Sequence, residues 1–483
     1  MSTVMSVDEA CAAAKAASQW YADTDLPTRA ALLEAIADAI DAARDDLVPI
    51  AVEESRLGVD RLTGEVGRTS GQLRLMAQVI REGSFLGIVW DRALPEATPP
   101  RPDLRRMKVP LGPVAVFGAS NFPFAFSALG ADTVSALAAG CPVVVKPNPG
   151  HPRLSDAVMG VAQDALAAAG APYGIITLVS DELQDGIGLV NDPRIEAVAF
   201  TGSTRGGLAL ARMAAERPRP IPFFGELGSI NPVFVTAEAA AERGESIAQG
   251  WVGSYTLGAG QFCTKPGLLI APRDPSMRAA AVVATDEVGG QGMLTPAIRE
   301  SYLRLLGERV DGGAVEVLSL GGWDEATDTV RPTLIAVDIE AVIADHRLLE
   351  ECFGPTSLLV EYDEAQQMLD LADTLPGLLA TGVHAQGEEP ILGELLPRLV
   401  AHAGRVLWNG WPTGVAVTWS MQHGGPFPAT TAPATTSVGA SAVDRFLRPV
   451  TWQGMPQEVL PVPLRDDNPW HVPRRVDGVL EVN

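Results

Sequence analysis

The residue whose chemistry would matter most is Cys263, since a thiolate is a strong nucleophile. It lies in the segment Gly260-Gln-Phe-Cys263-Thr-Lys. An isolated cysteine in an intracellular protein is more often a buried core residue, and the polar surroundings of Cys263 favour a nucleophile only modestly. A nucleophilic role also requires a group that takes up the thiol proton. The segment alone therefore leaves both interpretations open.

A possible partner is Glu226, which lies 37 residues before Cys263 in the segment Phe223-Phe-Gly-Glu226-Leu-Gly-Ser. One interpretation is a solvated carboxylate on a loop. The other is a carboxylate beside a hydrophobic pocket, where burial raises its pKa towards neutrality and makes it a general base. The segment by itself favours the first interpretation.

Asn121 follows a predicted strand in the segment Ser120-Asn121-Phe-Pro. An asparagine there is suited to cap the helix that comes next. Its side-chain amide is equally suited to donate a hydrogen bond to the oxyanion that forms in acyl transfer.

A phosphate-binding turn is indicated by Phe200-Thr-Gly202-Ser203-Thr-Arg-Gly-Gly207, which follows one strand and precedes a helical run from Leu208 to Ala215. Such a turn leaves free N–H groups at a helix N-terminus, where a pyrophosphate can bind. Lys146 ends another strand, at the edge where open α/β sheets bind ligands. Each feature has an ordinary alternative, a plain turn and a surface lysine.

These residues need a parallel α/β framework to bring them together. Short apolar runs alternate with helical segments, a pattern typical of βαβ units on parallel sheets. The strands predicted in this way cover 114–117, 142–146, 174–179, 197–200, 232–235, 268–271, 333–337 and 356–360. The spacing also predicts one helix from Ala30 to Leu47. The Pro-rich stretch 94–110 is predicted to be an excursion from the main body, and residues 408–483 to be loops and edge strands.

The composition narrows the possible partners. The chain has 483 residues, enough for two or three domains. Its net charge of −23 argues against nucleic acid and anionic membranes as partners. We find no signal peptide and no membrane span. The four cysteines lack CxxC spacing, so neither a disulfide framework nor a metal site is expected, and a cytoplasmic location is favoured.

Taken in order, six segments resemble those of the aldehyde dehydrogenase superfamily: SNFP (120–123), VVVKP (143–147), FTGST (200–204), GELG (225–228), GQFCT (260–264) and ECFGP (351–355). The resemblance covers nearly the whole chain. It implies a Rossmann-type cofactor-binding domain, an α/β catalytic domain and a small oligomerisation excursion. The implied ranges are 1–93 with 110–228, then 229–425, and finally 94–109 with 426–483.

The resemblance also implies the roles of individual residues. Cys263 would be the nucleophile, Glu226 the general base, and Asn121 an oxyanion donor together with the backbone N–H of Cys263. Thiohemiacetal and thioester intermediates would form on the cysteine. For the cofactor, Lys146 and Glu351 would hold ribose hydroxyls. The remaining cofactor contacts would be made by Gly202 and Ser203 at the pyrophosphate, Phe353 at the nicotinamide ribose and the Leu227 backbone at the carboxamide.

Within the superfamily, segments such as FGASNFPFAFS and HGGPFPATT resemble one branch most closely. That branch comprises bacterial α-ketoglutarate semialdehyde (2,5-dioxopentanoate) dehydrogenases and relatives that act on fatty aldehydes. The resemblance implies a small-molecule aldehyde substrate and a homodimer or homotetramer. NAD-preferring members commonly carry a glutamate three residues after the strand-end lysine, but here that position is Pro149. Without that carboxylate a 2′-phosphate is not repelled, so we expect use of NAD or NADP with a preference for NADP. Arg205 either adds attraction or is simply a solvated residue.

Several alternatives remain at this stage. A medium- or long-chain fatty aldehyde is the main alternative substrate, and an acylating enzyme that transfers the thioester to coenzyme A is a further one. A binding protein that retains the fold is a third. A cysteine hydrolase is disfavoured because no histidine partner is evident; His402 and His423 lie in late segments, and His423 is expected to line the substrate entrance instead. Of Phe122, Phe124 and Phe126, at least one is expected to pack in the core.

Overall fold

The structure is a computed structural model that describes residues 4–482. Its α-helices are α1 (Val7–Asp23), α2 (Leu26–Ala42), α3 (Arg44–Ser55), α4 (Val59–Glu82), α5 (Ala131–Ala139), α6 (Pro152–Ala168), α7 (Leu183–Asn191), α8 (Thr204–Glu216), α9 (Ala237–Thr256), α10 (Pro275–Asp286), α11 (Pro296–Asp311), α12 (Ile339–Ala344), α13 (Ala365–Ala372) and α14 (Leu392–His402). None of these helices is both long and apolar enough to cross a membrane.

The strands are β1 (Val4–Met5), β2 (Ile88–Asp91), β3 (Leu104–Pro110), β4 (Val114–Phe117), β5 (Val143–Lys146), β6 (Ile176–Val179), β7 (Ala197–Thr201), β8 (Phe223–Glu226), β9 (Val233–Val235), β10 (Leu268–Pro272), β11 (Glu316–Ser319), β12 (Gly322–Asp324), β13 (Thr329–Arg331), β14 (Thr333–Asp338), β15 (Thr356–Tyr362), β16 (Thr381–His384), β17 (Val406–Trp408), β18 (Leu447–Gln453), β19 (Arg474–Val476) and β20 (Val479–Glu481). All eight strands predicted from apolar runs are present, each within two residues of its predicted ends.

Two large sheets form the body of the molecule. The first is parallel throughout, in the order β1-β6-β5-β4-β7-β8. The second has the order β11-β14-β15-β10-β9-β16-β17, and only its edge pair β11 and β14 is antiparallel. The central strands of both sheets are buried, which explains why they read as unbroken apolar runs. The predicted α/β class is confirmed.

A third, smaller sheet unites the two segments predicted to leave the main body. Its order is β18-β3-β2-β19-β20, and β3 pairs antiparallel with β18 along seven residues, from Leu447 opposite Pro110 to Gln453 opposite Leu104. The excursion at 94–110 and the late tail therefore meet in one sheet. The domain limits given above remain a prediction.

The single helix predicted from Ala30 to Leu47 is wrong. Ala43 departs from helical geometry, with φ of −85° and ψ of 3°, so α2 ends at Ala42 and α3 begins at Arg44. Ile40 and Leu47 are both buried, but on two helices. Apolar periodicity shows which faces are buried. Here the period continues from α2 into α3, although the chain changes direction between them.

Candidate active site

A cavity of about 1020 Å³ opens where four neighbouring strands of the first sheet end. The last residues of β4, β5, β7 and β8 all line it: Phe117, Lys146, Thr201 and Glu226. The carboxyl edge of a parallel sheet is the usual place for a ligand, because the loops that follow the strands converge there. The cavity is also lined by every site residue identified in the sequence, namely Asn121, Lys146, Gly202, Ser203, Glu226, Leu227, Cys263, Glu351 and Phe353.

One end of the cavity is shaped by the start of α8. Ser203 caps this helix, and its Oγ accepts a hydrogen bond from the Gly206 N–H at 3.2 Å. The first turn of the helix thus faces the cavity with a positive dipole end, which suits a phosphate. Gly202 is required there, since a Cβ atom would lie 2.8 Å from the Phe200 ring. Nearby, burial lowers the pKa of Lys146, while Asp181, Glu182 and Asp185 counteract the shift.

Glu351 and Phe353 approach the same end from the segment before β15. Glu351 lies so close to Gly228 that a Cβ atom on that glycine would come within 2.5 Å of its Oε2. Burial raises the pKa of the Glu351 carboxyl, and the charge of Lys265 opposes the shift. The backbone N–H of Leu227 donates to the Ala429 carbonyl at 2.8 Å, so only the carbonyl of Leu227 remains for a ligand.

The loop that carries Cys263 is fixed from two directions. Asn231 Nδ2 donates to the Cys263 carbonyl at 2.8 Å and to the Lys265 carbonyl at 3.0 Å. Gly260 has a φ of +64°, and a Cβ atom there would lie 2.2 Å from the Gly354 carbonyl oxygen. The GQFCT and ECFGP segments are therefore in direct backbone contact, which positions the cysteine against the residues that follow Glu351.

His423 lies beside the thiol, and sequence analysis did not identify it as a partner of Cys263. Its Nε2 is 3.7 Å from Cys263 Sγ, within range for a hydrogen bond to sulfur. Burial, together with the positive charges of Arg405 and Arg68, lowers the pKa of His423 to about 3, so the imidazole is neutral. The prediction that no histidine accompanies the cysteine is wrong, because the partner comes from a loop 160 residues later in the chain. The HGGPFP segment was the available signal.

The thiol itself is strongly disfavoured as a thiolate in this state. Burial raises the pKa of Cys263 to about 12, and the nearby charges of Glu351 and Glu226 add to the effect. A reaction at neutral pH therefore needs a base to remove the proton as the sulfur attacks.

Glu226 has the properties of such a base. It is 3% exposed, so it is not a solvated loop carboxylate. Burial raises its pKa to about 8, and the charge of Arg445 limits the rise. Arg445 Nη2 donates to Glu226 Oε1 at 2.5 Å, whereas Oε2 has no hydrogen-bond partner of good geometry among the described residues. One oxygen is held and the other remains available for proton transfer.

Arg445 is a second residue that sequence analysis missed. It lies in the 3₁₀ helix Ala440–Phe446, and its side chain is fully buried. Its Nη1 donates to Asp132 Oδ1 at 2.8 Å, so a single guanidinium joins two buried carboxylates. The only sequence signal was an arginine in the stretch AVDRFL, which carries no information on its partners.

Asn121 does not cap a helix, because the next helix, α5, begins ten residues later with Gly130 as its cap. Its Nδ2 donates to the Gln261 carbonyl at 3.0 Å, which ties the amide to the loop of the cysteine. The segment after Asn121 is held by Glu65 of α4, whose Oε1 accepts hydrogen bonds from the N–H groups of Phe124 and Ala125. The amide is thus held against the loop of the cysteine, and Asn121 and Cys263 both line the cavity.

The cavity has the dimensions and chemistry that a nicotinamide dinucleotide requires. A helix N-terminus, a lysine, a half-buried carboxylate and a cysteine all line it. Pro149 also lines the cavity, and Arg205 is exposed on the first turn of α8. The volume is within the range of cofactor and ligand sites.

Comparison with known proteins agrees with this geometry. A family model described as the aldehyde dehydrogenase family matches residues 1–427. An α-ketoglutaric semialdehyde dehydrogenase 2 from Azospirillum brasilense is 45% identical over 481 residues, covering 98% of this chain and 92% of that protein. An α-ketoglutaric semialdehyde dehydrogenase from Acinetobacter baylyi is 43% identical, covering 100% and 92%. The solved structure of a Thermus 1-pyrroline-5-carboxylate dehydrogenase with bound NAD superposes with a TM-score of 0.79 at 21% identity, covering 93% of this chain and 86% of that one.

Proposed function

This chain belongs to the aldehyde dehydrogenase family, and we propose that its substrate is α-ketoglutaric semialdehyde, which it oxidises to α-ketoglutarate. It is an NAD(P)-dependent aldehyde oxidoreductase. The observation that carries the substrate assignment is the full-length identity of 45% and 43% to two enzymes named for this aldehyde.

The first step is attack of Cys263 Sγ on the aldehyde carbon. A carbon–sulfur bond forms, the carbonyl electrons move to oxygen, and the thiol proton passes to Glu226 directly or through water. The Asn121 amide and the backbone N–H of Cys263 hydrogen-bond the oxyanion. His423 orients the thiol by accepting its hydrogen bond, but with a pKa of about 3 it retains a proton less readily than Glu226.

Loss of hydride from the former aldehyde carbon to the nicotinamide, which is the chemistry that the cofactor supplies when bound, leaves a thioester on Cys263. Glu226 releases the proton taken from the thiol to solvent, and its Oε2 then removes a proton from water as the water oxygen bonds to the acyl carbon. The carbon–sulfur bond breaks, the sulfur regains a proton and the carboxylic acid is released. Anchoring of Oε1 by Arg445 keeps Oε2 directed away from that ion pair during this step.

For cofactor binding, we assign Lys146 and Glu351 to ribose hydroxyls, Gly202 and Ser203 to the pyrophosphate, and Phe353 and the Leu227 carbonyl to the nicotinamide end. NADP is the preferred cofactor in this proposal. The support is that Pro149, which lines the cavity, brings no carboxylate to repel a 2′-phosphate.

A homo-oligomer forms, in this proposal, through the small sheet that contains β3 and β18. Its edge strand β20 exposes Val479 and Leu480, at 68% and 56% of their surface. An unpaired apolar edge is suited to pairing with another chain. Light scattering of the protein and of a Val479→Ser, Leu480→Ser variant tests this: the assembly should become smaller in the variant.

The substrate assignment is tested by initial rates with α-ketoglutaric semialdehyde, hexanal and longer alkanals, each with NAD and with NADP. The semialdehyde with NADP should give the highest kcat/KM. A strong preference for alkanals would overturn the substrate and leave the mechanism intact. Repeating the assay with coenzyme A distinguishes hydrolysis from acyl transfer, and the free acid should be the only product.

A further inference from the structure

Four arginines contact or act on the reacting groups at the reaction end of the cavity, and three of them make hydrogen bonds to neighbouring residues. Arg61 donates to the Asn121 carbonyl at 2.6 Å. Arg405 donates to backbone carbonyls, among them Gly414 at 2.9 Å. Arg445 is held by two carboxylates. The fourth, Arg68, has no carboxylate or carbonyl partner: its Nε and Nη2 atoms are buried and make no hydrogen bond to the described residues.

Arg68 lies close to the nucleophile. Its guanidinium carbon is 5.5 Å from the centre of the Phe122 ring and 5.2 Å from that of Phe126. The Phe126 ring is in turn 6.2 Å from the imidazole of His423, which contacts the thiol of Cys263. The guanidinium of Arg68 therefore lies beside the rings of Phe122 and Phe126, and the second ring neighbours the imidazole that contacts the reacting sulfur. Phe124, by contrast, is buried in the core.

Leaving guanidinium nitrogens buried without an acceptor is costly, because such donors lose water and gain nothing in return. The nearest acid on the same helix is Glu65; its Oε1 accepts from two backbone N–H groups, and its Oε2 has no hydrogen-bond partner among the described residues. The charges of Glu65 and Arg68 act on each other, but no hydrogen bond joins the buried Glu65 Oε2 to the buried Nε or Nη2 of Arg68. A planar guanidinium can donate two parallel hydrogen bonds, and this geometry matches a carboxylate better than any other common ligand group.

The overall charge makes such an anchor necessary. With a net charge of −23, the protein repels an anionic substrate at long range. The arginines bring positive charge close to the reacting sulfur, since both Arg68 and Arg405 act on Cys263. In this cluster Arg68 is the residue with two buried nitrogens that have no acceptor among the described residues.

We propose that Arg68 binds the distal carboxylate of the substrate, so that this site selects short aldehydes with an anionic far end. The rings of Phe122 and Phe126 would cover the carbon chain between the carboxylate and the aldehyde carbon at Cys263. This assignment rests on the proposed function for the identity of the natural substrate, but the cationic anchor can be measured without it.

The first test compares alkylation of Cys263 by iodoacetate, which is anionic, with alkylation by iodoacetamide, which is neutral. The ratio of the two rate constants cancels any change in the reactivity of the thiol itself. In Arg68→Met the ratio should fall by about 10-fold. Arg74→Met is the matched control, since Arg74 lies on the same helix and pairs with Asp38 and Asp41 at the surface. An unchanged ratio in Arg68→Met overturns the proposal.

The second test uses substrates. For Arg68→Met, kcat/KM for α-ketoglutaric semialdehyde should fall by about 30-fold, mainly through KM, while kcat/KM for pentanal changes less than about 3-fold. Arg68→Lys should recover part of the loss, and it replaces the Met variant if the latter does not fold. Equal losses with both substrates would mean a structural role and refute the anchor. If the unmodified enzyme prefers pentanal, the proposed function fails, and the alkylation ratio still decides the role of Arg68.

Discussion

The cofactor end and the reaction end of the cavity differ in how their residues are gathered. At the cofactor end, Lys146 ends a strand, and Gly202 and Ser203 follow directly on another. At the reaction end, Glu226 is held by Arg445, which is 219 residues later, and Cys263 contacts a histidine 160 residues later. Local segments are sufficient for binding a cofactor, whereas setting the pKa values of the reacting groups requires charges brought from distant parts of the chain.

If the two ends of the cavity have these separate roles, substitutions at the reaction end should impair the chemical steps and leave cofactor binding intact. The largest effect is expected for Cys263→Ala, because no other group at the site forms the thioester. Aldehyde oxidation should fall by about 10⁴-fold or more, while NADP binding, followed by fluorescence titration, stays unchanged. Cys11→Ala, a buried thiol far from the cavity, serves as the control. Near-normal turnover in the Cys263 variant would refute the assignment.

Asn121→Ala should have the next largest effect. Loss of one oxyanion donor typically lowers kcat by about 10²- to 10³-fold, and the substrate KM should change little. Steady-state kinetics on purified protein measure both. Asn191→Ala, at an exposed position on α7, is a suitable control. A loss confined to KM would place Asn121 in substrate binding instead.

Arg445→Met addresses the long-range contact directly. Glu226 must be deprotonated to act as a base, so the hydrolysis rate should rise with pH, with a midpoint near its pKa of about 8. Removing the positive charge raises that pKa further, which moves the midpoint to higher pH and slows hydrolysis at neutral pH by about 10- to 100-fold. The first turnover of reduced cofactor, followed in rapid-mixing experiments, should shift to higher pH as well, because Glu226 also takes up the thiol proton before hydride transfer.

The same variant should be less stable, by about 3–5 kcal/mol, because it leaves two carboxylates buried without their cation. Instability alone does not move a pH profile. Arg445→Lys should restore part of the original midpoint. An unshifted profile in the Met variant would show that Arg445 supports the fold and does not tune the base.

The smallest effect is expected at the cofactor end. Pro149→Glu should lower the ratio of kcat/KM with NADP to kcat/KM with NAD by about 10-fold through repulsion of the 2′-phosphate. Pro149→Gln adds a similar side chain without charge and should leave the ratio nearly unchanged. A change in kcat with both cofactors would show that the cofactor end also affects the chemical steps at the reaction end.

The same difference explains what could be predicted from the sequence. The strands and the residues that follow them were predictable because buried parallel strands leave a local apolar pattern. The segments around Cys263 and Glu226 were recognisable because they are short sequence motifs that occur in a fixed order along the chain. Arg68 and Arg445 were not assigned, and His423 was expected at the substrate entrance and not beside Cys263, since an arginine on a helix or a histidine in a loop gives no sign of which distant residue it contacts. The bend at Ala43 was missed because a helical period continues through it.

The ion pair between Glu226 and Arg445 also determines when the site becomes complete during synthesis. The first sheet, the cysteine loop and most of the second sheet leave the ribosome before residue 445 does. Until then Glu226 lacks its cation, and the 3₁₀ helix that carries Arg445 cannot dock beside α5. A nascent chain therefore has the nucleophile without the tuned base, and the ability to hydrolyse a thioester is acquired only when the last part of the chain has folded back across the body.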